Sequence, residues 1–219
     1  MRIQAFIFDL DGVITDTSEF HYLGWKRLAD EEGIPFTRAD NENLRGVSRR
    51  ESLKRMLNGR VISEEQAEAW MARKNRYYVD FIDKLTPANI LPGARELLGE
   101  LKAARIQTAI ASSSKNATLV VDRLQIAALI DALVDGSMVS QSKPAPDLFL
   151  EAARRLGAEP ARCVVVEDAE AGVEAGNAAG MLTLGLGPQE RVGAATLTLP
   201  DLNGADLAAL AQKMGFSIS

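Results

Sequence analysis

The chain has 219 residues, 47% of them hydrophobic and 25% charged, the balance of a globular protein able to bury a substantial core. A net charge of −5 argues against a broad nucleic-acid surface, yet a local cluster of Lys and Arg can still hold a small anion. The single cysteine, Cys163, excludes an intramolecular disulfide, and no apolar run nears the ~20 residues that span a bilayer, so a cytoplasmic protein without a membrane partner is expected.

Residues 3–8 form a near-continuous apolar run, expected as a parallel strand covered on both faces. The run is too short for a signal peptide and no small-residue cleavage site follows it. From about residue 16 to 86 no strand is expected. Helical patterns occupy 19–32, 49–57 and 63–85, the last opened by Ser63-Glu64-Glu65-Gln66, a capping-box pattern. Pro92-Gly93 then precedes a helix over 94–104, with Leu97, Leu98 and Leu101 on one stripe.

Strand and helix alternate from there. Strands are expected at 108–111, 163–166 and 181–186, with a weaker one at 132–134. Helices are expected at 118–124, 147–156 and 169–179, with Gly157 and Gly180 placed as C-terminal caps. Lys143-Pro144 is a candidate cis peptide, and Cys163 reads as a small buried core residue. The pattern predicts an α/β fold: a doubly wound, mostly parallel sheet (a Rossmann-like core) built from residues 1–15 and 88–219. A helical subdomain, residues 16–87, is inserted after the first strand.

Four stations along this frame carry chemistry. Asp9-Leu10-Asp11-Gly12 follows the first strand, where α/β sheets bind ligands. In an extended chain Asp9 and Asp11 point the same way. One carboxylate can attack a phosphoryl group while the other gives and takes a proton. Asp-x-Asp alone is equally at home in a turn. Ser112-Ser113-Ser114-Lys115-Asn116 ends the second strand and opens a helix; it reads as an anion site or as simple capping. Lys143, before Pro144, is either a counter-charge for a phosphate or a solvated loop lysine. Glu167-Asp168 ends an all-apolar strand. Acids there are desolvated unless paired or bound to a cation, and magnesium takes carboxylate and phosphate oxygens.

The order Asp-x-Asp, Ser, Lys, Glu-Asp, each at a strand end, resembles the four-motif signature of the haloacid dehalogenase superfamily. The resemblance covers the whole chain. It implies Asp9 as nucleophile, Asp11 as general acid and base, and Ser112 and Lys143 holding the transferred phosphoryl group. It also implies Mg2+ on Asp9, Glu167, Asp168 and the Asp11 carbonyl, and a helical cap in place of the insertion.

Within the superfamily the chain is similar to the β-phosphoglucomutase family. The similarity rests on Asp9 to Thr17, Gly46-Val47-Ser48-Arg49, Arg73-Lys74-Asn75, Ala111 to Asn116 and Ser142 to Asp147. It implies interconversion of β-D-glucose 1-phosphate and β-D-glucose 6-phosphate through a bisphosphate, with small-molecule sugar phosphates as partners, while the balanced surface charge leads to the expectation of a monomer. A sugar-phosphate phosphatase on the same fold is the alternative. The family implies a second phosphate site at Arg49, Ser114, Lys115 and Asn116, joined by Ser113, and a sugar pocket lined by Arg45, Gly46, Val47, Ser48 and Ser52. Lys74 and Asn75 would touch the substrate. Thr17 would lie at the cap hinge, and His21 would meet Asp11 on closure. Read without the family, Arg49, His21 and Lys74 are ordinary surface residues of helices.

Overall fold

Strand β1 (Ala5–Phe8) lies inside a six-stranded, wholly parallel sheet in the computed structural model, which describes residues 1–218. The other strands are β2 (Gln107–Ser112), β3 (Ala132–Asp135), β4 (Cys163–Glu167), β5 (Leu182–Leu186) and β6 (Leu197–Leu199), in the order β3-β2-β1-β4-β5-β6. The chain winds outward from β1 to β3 and then restarts at β4 on the other side. The strand order therefore reverses between β1 and β4, and their carboxyl ends open a crevice.

Four helices stand between β1 and the helix that leads into β2. They are α1 (Ser18–Glu31), α2 (Arg38–Glu42), α3 (Arg49–Leu57) and α4 (Glu64–Ile82). Trp25, Leu28, Phe36, Leu53, Trp70 and Met71 gather there into a hydrophobic cluster separate from those against the sheet. The distal half of α4 departs from it: Tyr78 and Ile82, with Leu85 beyond, pack into the cluster under the sheet. The two chain crossings are tied together. Leu91 N–H donates to Ile14 carbonyl at 2.9 Å, and Thr15 Oγ1 donates to Asn89 carbonyl at 2.8 Å.

Six α-helices follow: α5 (Ala94–Ala103), α6 (Ala117–Leu124), α7 (Asp147–Leu156), α8 (Glu170–Ala178), α9 (Gln189–Val192) and α10 (Leu207–Met214). Phe6 and Phe8 face a cluster completed by α5, α6 and α10, while Ala5 and Ile7 face one completed by α7 and α8. This two-residue alternation with both faces covered explains the unbroken apolar runs in the strands. Phe149 of α7 is fully buried against the second face, where truncation to Ala costs about 3–5 kcal/mol.

The structure departs from the expected elements at their ends. The helix expected over 63–85 stops at Ile82, because Lys84 and Leu85 turn back onto the Phe81 and Ile82 carbonyls in tight three-residue steps. Only half of the capping box forms: Ser63 accepts from Gln66 N–H. Ser112 ends β2, segment 113–116 is a loop, and α6 begins at Ala117. Besides the short α9, three elements were not expected. These are α2, capped by the reciprocal pair Thr37 and Asp40, the half-exposed edge strand β6, and α10. The Lys143–Pro144 bond is cis, and Cys163 is fully buried.

Candidate active site

Asp9 sits one residue past β1, and its N–H still donates to the Val166 carbonyl at 2.9 Å, so its side chain leaves an extended backbone. The chain then turns at Gly12, whose φ of +86° suits glycine. A Cβ there would overlap the Asp168 carboxylate, so this close approach needs glycine on steric grounds as well. Asp11 receives the Thr17 hydroxyl proton on Oδ1. Burial, and next the Asp9 charge, push the Asp11 carboxyl up to about 6.

Beneath Asp9 lie Glu167 and Asp168 at the end of β4. One oxygen from each of the three buried carboxylates falls within a 4.8 Å group. The Lys143 ammonium, also buried, donates to Asp9 Oδ1, to Glu167 Oε1 at 2.5 Å and to the Ala111 carbonyl at 3.4 Å. The two carboxylates hold its pKa above the usual lysine range against the opposing effect of burial. Glu167 Oε2 accepts from Ala169 N–H at 2.9 Å. Burial pushes Glu167 up to about 8 and Asp168 up to about 7. Arg45 Nη1 donates to Asp168 Oδ2 at 2.7 Å, and Arg191 Nε donates to the Asp168 carbonyl at 2.7 Å. This all-oxygen donor set, buried and short of positive charge, fits a hard divalent cation.

A cavity of about 400 Å³ lies above these acids, under the helices. Asp9 and Asp11 line it, together with His21, Arg45, Gly46, Val47, Ser48, Arg49, Ser52, Lys74, Ser113, Ser114, Lys115 and Asn116. Thr17, Asn75, Ser112, Lys143, Glu167 and Asp168 do not line it. Thr17 holds Asp11 from behind, and Lys143 lies next to Asp9. Asn75 Oδ1 accepts from Arg49 Nη2 at 2.7 Å and from Asn116 Nδ2 at 2.8 Å, joining α4, α3 and the loop after β2. Ser112 Oγ accepts from Ser114 N–H at 3.1 Å, and Ser113 Oγ donates to the Gly46 carbonyl at 2.9 Å. Arg49, mostly buried, forms no salt bridge among the described residues; burial lowers its pKa, the largest of the influences on it. Such a cation is a ready anion site.

His21 and Lys74 are not the surface residues that helix position alone suggests. Lys74 is buried and its Nζ lies 2.9 Å from His21 Nδ1. With Lys74 donating, Nδ1 accepts and the imidazole carries its proton on Nε2, which faces Asp11 Oδ2 at 3.9 Å. Burial first, then Lys74, hold His21 well below its ordinary value; burial likewise depresses Lys74. Four residues at the site went unread in the sequence. Tyr78 stacks on His21 with ring centroids 4.2 Å apart, and Trp25 lies under Lys74 at 5.1 Å. Both read as ordinary apolar helix positions. Glu42 and Arg191 left no signal in the sequence.

A nucleophile-ready carboxylate pair at the switch point, a lysine between acids and an inserted helical roof define a phosphoryl-transfer class of α/β enzyme. The family model for haloacid dehalogenase-like hydrolases matches residues 3–180, and the chain belongs to that family. It is 47% identical to the β-phosphoglucomutase of Bacillus subtilis (strain 168) over 190 residues, 84% of each chain. The crystal structure of β-phosphoglucomutase from Clostridium difficile superposes with a TM-score of 0.94 at 40% identity, covering 97% of each chain. A phosphorylated carbohydrates phosphatase of Thermotoga maritima is 33% identical over 82% of each chain.

Proposed function

We propose that this protein is a β-phosphoglucomutase, interconverting β-D-glucose 1-phosphate and β-D-glucose 6-phosphate by way of a phosphoryl group on Asp9 and a glucose 1,6-bisphosphate. One observation carries the reading. The cavity that holds the Asp9 and Asp11 pair is also lined by Arg49, Ser114, Lys115 and Asn116, with Arg49 lacking a carboxylate partner among the described residues. A phosphatase needs one phosphate site. A mutase, which turns a bisphosphate over, needs two.

In this reading an Asp9 oxygen attacks phosphorus as the bond to the sugar oxygen breaks, and Asp11, protonated, gives that oxygen its proton. Asp11, now ionised, takes the proton of the sugar hydroxyl that next attacks the phosphoryl group on Asp9, and the bisphosphate so formed turns over before Asp9 attacks its other phosphate. Ser112 and Lys143 steady the phosphoryl oxygens. Asp9, Glu167 and Asp168, together with the Asp11 carbonyl, would hold a divalent cation, which we assign as Mg2+ from the all-oxygen set. When bound, the cation supplies positive charge beside the transferring group. Residues 16–87 act as a cap over 1–15 and 88–219. Thr17 and His21 bring Asp11 into position when the cap excludes water.

The test is incubation with β-glucose 1-phosphate, Mg2+ and catalytic β-glucose 1,6-bisphosphate, following glucose 6-phosphate and inorganic phosphate together. Isomerisation well ahead of phosphate release is expected. Phosphate as the sole product would move the assignment to a sugar-phosphate phosphatase, the reading that the Thermotoga relative favours.

A further inference from the structure

Arg45 follows α2 on the helical half, yet its guanidinium reaches the sheet. Nη1 donates to Asp168 Oδ2 at 2.7 Å and to Ser18 Oγ at 3.0 Å, while Nε and Nη2 rest on the Glu42 carboxylate at 3.3 and 3.2 Å. From the opposite side Arg191 donates to the Asp168 carbonyl, and its Nη1 lies 4.0 Å from Glu42. Two acids and two arginines thus close a ring across the joint between helices and sheet. Among the described residues Arg45 alone lines both the main cavity and a second one of about 320 Å³. The second is bounded by Gly12, Asp16, Asp168, Arg191 and Asp201 among others.

We propose that Arg45 is a latch that competes with the divalent cation for Asp168. With the metal absent it ties the helical half to the sheet; metal binding draws Asp168 away and frees it. The inference rests on the reading of Asp9, Glu167 and Asp168 as the metal site. A guanidinium and a divalent cation on one carboxylate repel each other, and the Asp168 side chain is only 5% exposed, so solvent screens the repulsion little. The oriented, charge-assisted hydrogen bond must then be given up for the metal to use Oδ2. Coupling of this kind is reciprocal: what Arg45 takes from metal affinity, the metal takes from the latch.

Calorimetric titration of the full chain with Mg2+ in the absence of sugar phosphate tests this. A latch closed in nine molecules of ten weakens apparent affinity about tenfold, so Arg45→Met is expected to bind Mg2+ about tenfold more tightly than wild type. Unchanged or weaker binding in Arg45→Met overturns the latch. Hydrogen exchange on the wild-type protein needs no variant. Mg2+ alone is expected to speed exchange across residues 42–47, and slower or unchanged exchange overturns the proposal. Asp168→Asn separates the two readings. Lost Mg2+ binding upholds the metal site whatever Arg45 does, whereas retained binding overturns the site and the latch together.

Discussion

Gly172 of α8 lies directly against the Glu167 carboxylate, so that a Cβ at position 172 would overlap the carboxylate carbon and Oε1. The helix that follows β4 can pass this close only because it is bare there. Gly172→Ala is expected to push Glu167 off Lys143 and the Ala169 N–H. Loss of a supporting contact of this kind lowers metal affinity by about 10–100-fold. Mg2+ titration of the variant checks the value, with circular dichroism confirming that the helix is retained.

Lys143 donates to two buried acids at once, and its removal strands both. Lys143→Met is expected to destabilise the metal-free protein by about 3–5 kcal/mol. A divalent cation takes over part of the lost charge, so the variant's melting temperature should rise more with Mg2+ than the wild type's does. Thermal denaturation with and without the metal measures both effects.

The raised carboxyls give metal binding a defined pH sense. With Asp168 near 7 and Glu167 near 8, the metal-free site retains protons at neutral pH, and a cation must displace them. Mg2+ affinity is therefore expected to climb with pH and level off above about 8. Proton release in titrations run in buffers of different ionisation heat should vanish over the same range. Stability of the metal-free protein runs the other way. The contribution of these raised groups is complete below the unfolded carboxyl range near 4 and is lost as pH rises through 7 to 8.

Asp9 and Asp11 separate by choice of phosphoryl donor. Asp11→Asn removes the proton donor and should lower mutase kcat by about 10²–10⁴. Acetyl phosphate has a leaving group that needs no proton, so it should still label Asp9 in that variant. Asp9→Asn should accept no label from any donor. Mass spectrometry of the intact protein distinguishes the two.

His21 offers a second pH signature. Its folded pKa is depressed by burial, so its contribution to stability is complete above about 6.5 and is lost as pH falls below that value. The difference in unfolding free energy between wild type and His21→Gln should therefore shrink on acidification from pH 7. Urea denaturation at a series of pH values measures it.

Much of the fold was legible because parallel strands covered on both faces leave unbroken apolar runs: β1, β2, β4 and β5 announced themselves. β6 did not, since an edge strand with half-exposed Leu197 and Leu199 leaves no such run. The carboxylates, the lysine and the serine loop were readable as chemistry at strand ends. The Arg45 contact was not. It joins residues 123 apart in the chain, and nothing local distinguishes an arginine that spans a joint from one that lines a pocket. Tyr78 was hidden because its helical spacing is that of any core aromatic, although it is the surface on which His21 rests.

The course of α4 bears on how the two halves can be recombined. One continuous rod, it begins among Trp70 and Met71 in the roof and ends with Ile82 embedded beneath the sheet. The roof is thus not an interchangeable module. A chimaera that imports another relative's helical segment must carry the donor sequence through Leu85 and adopt matching residues in the layer below. A splice placed earlier along α4 would set two mismatched ends of a single helix against each other.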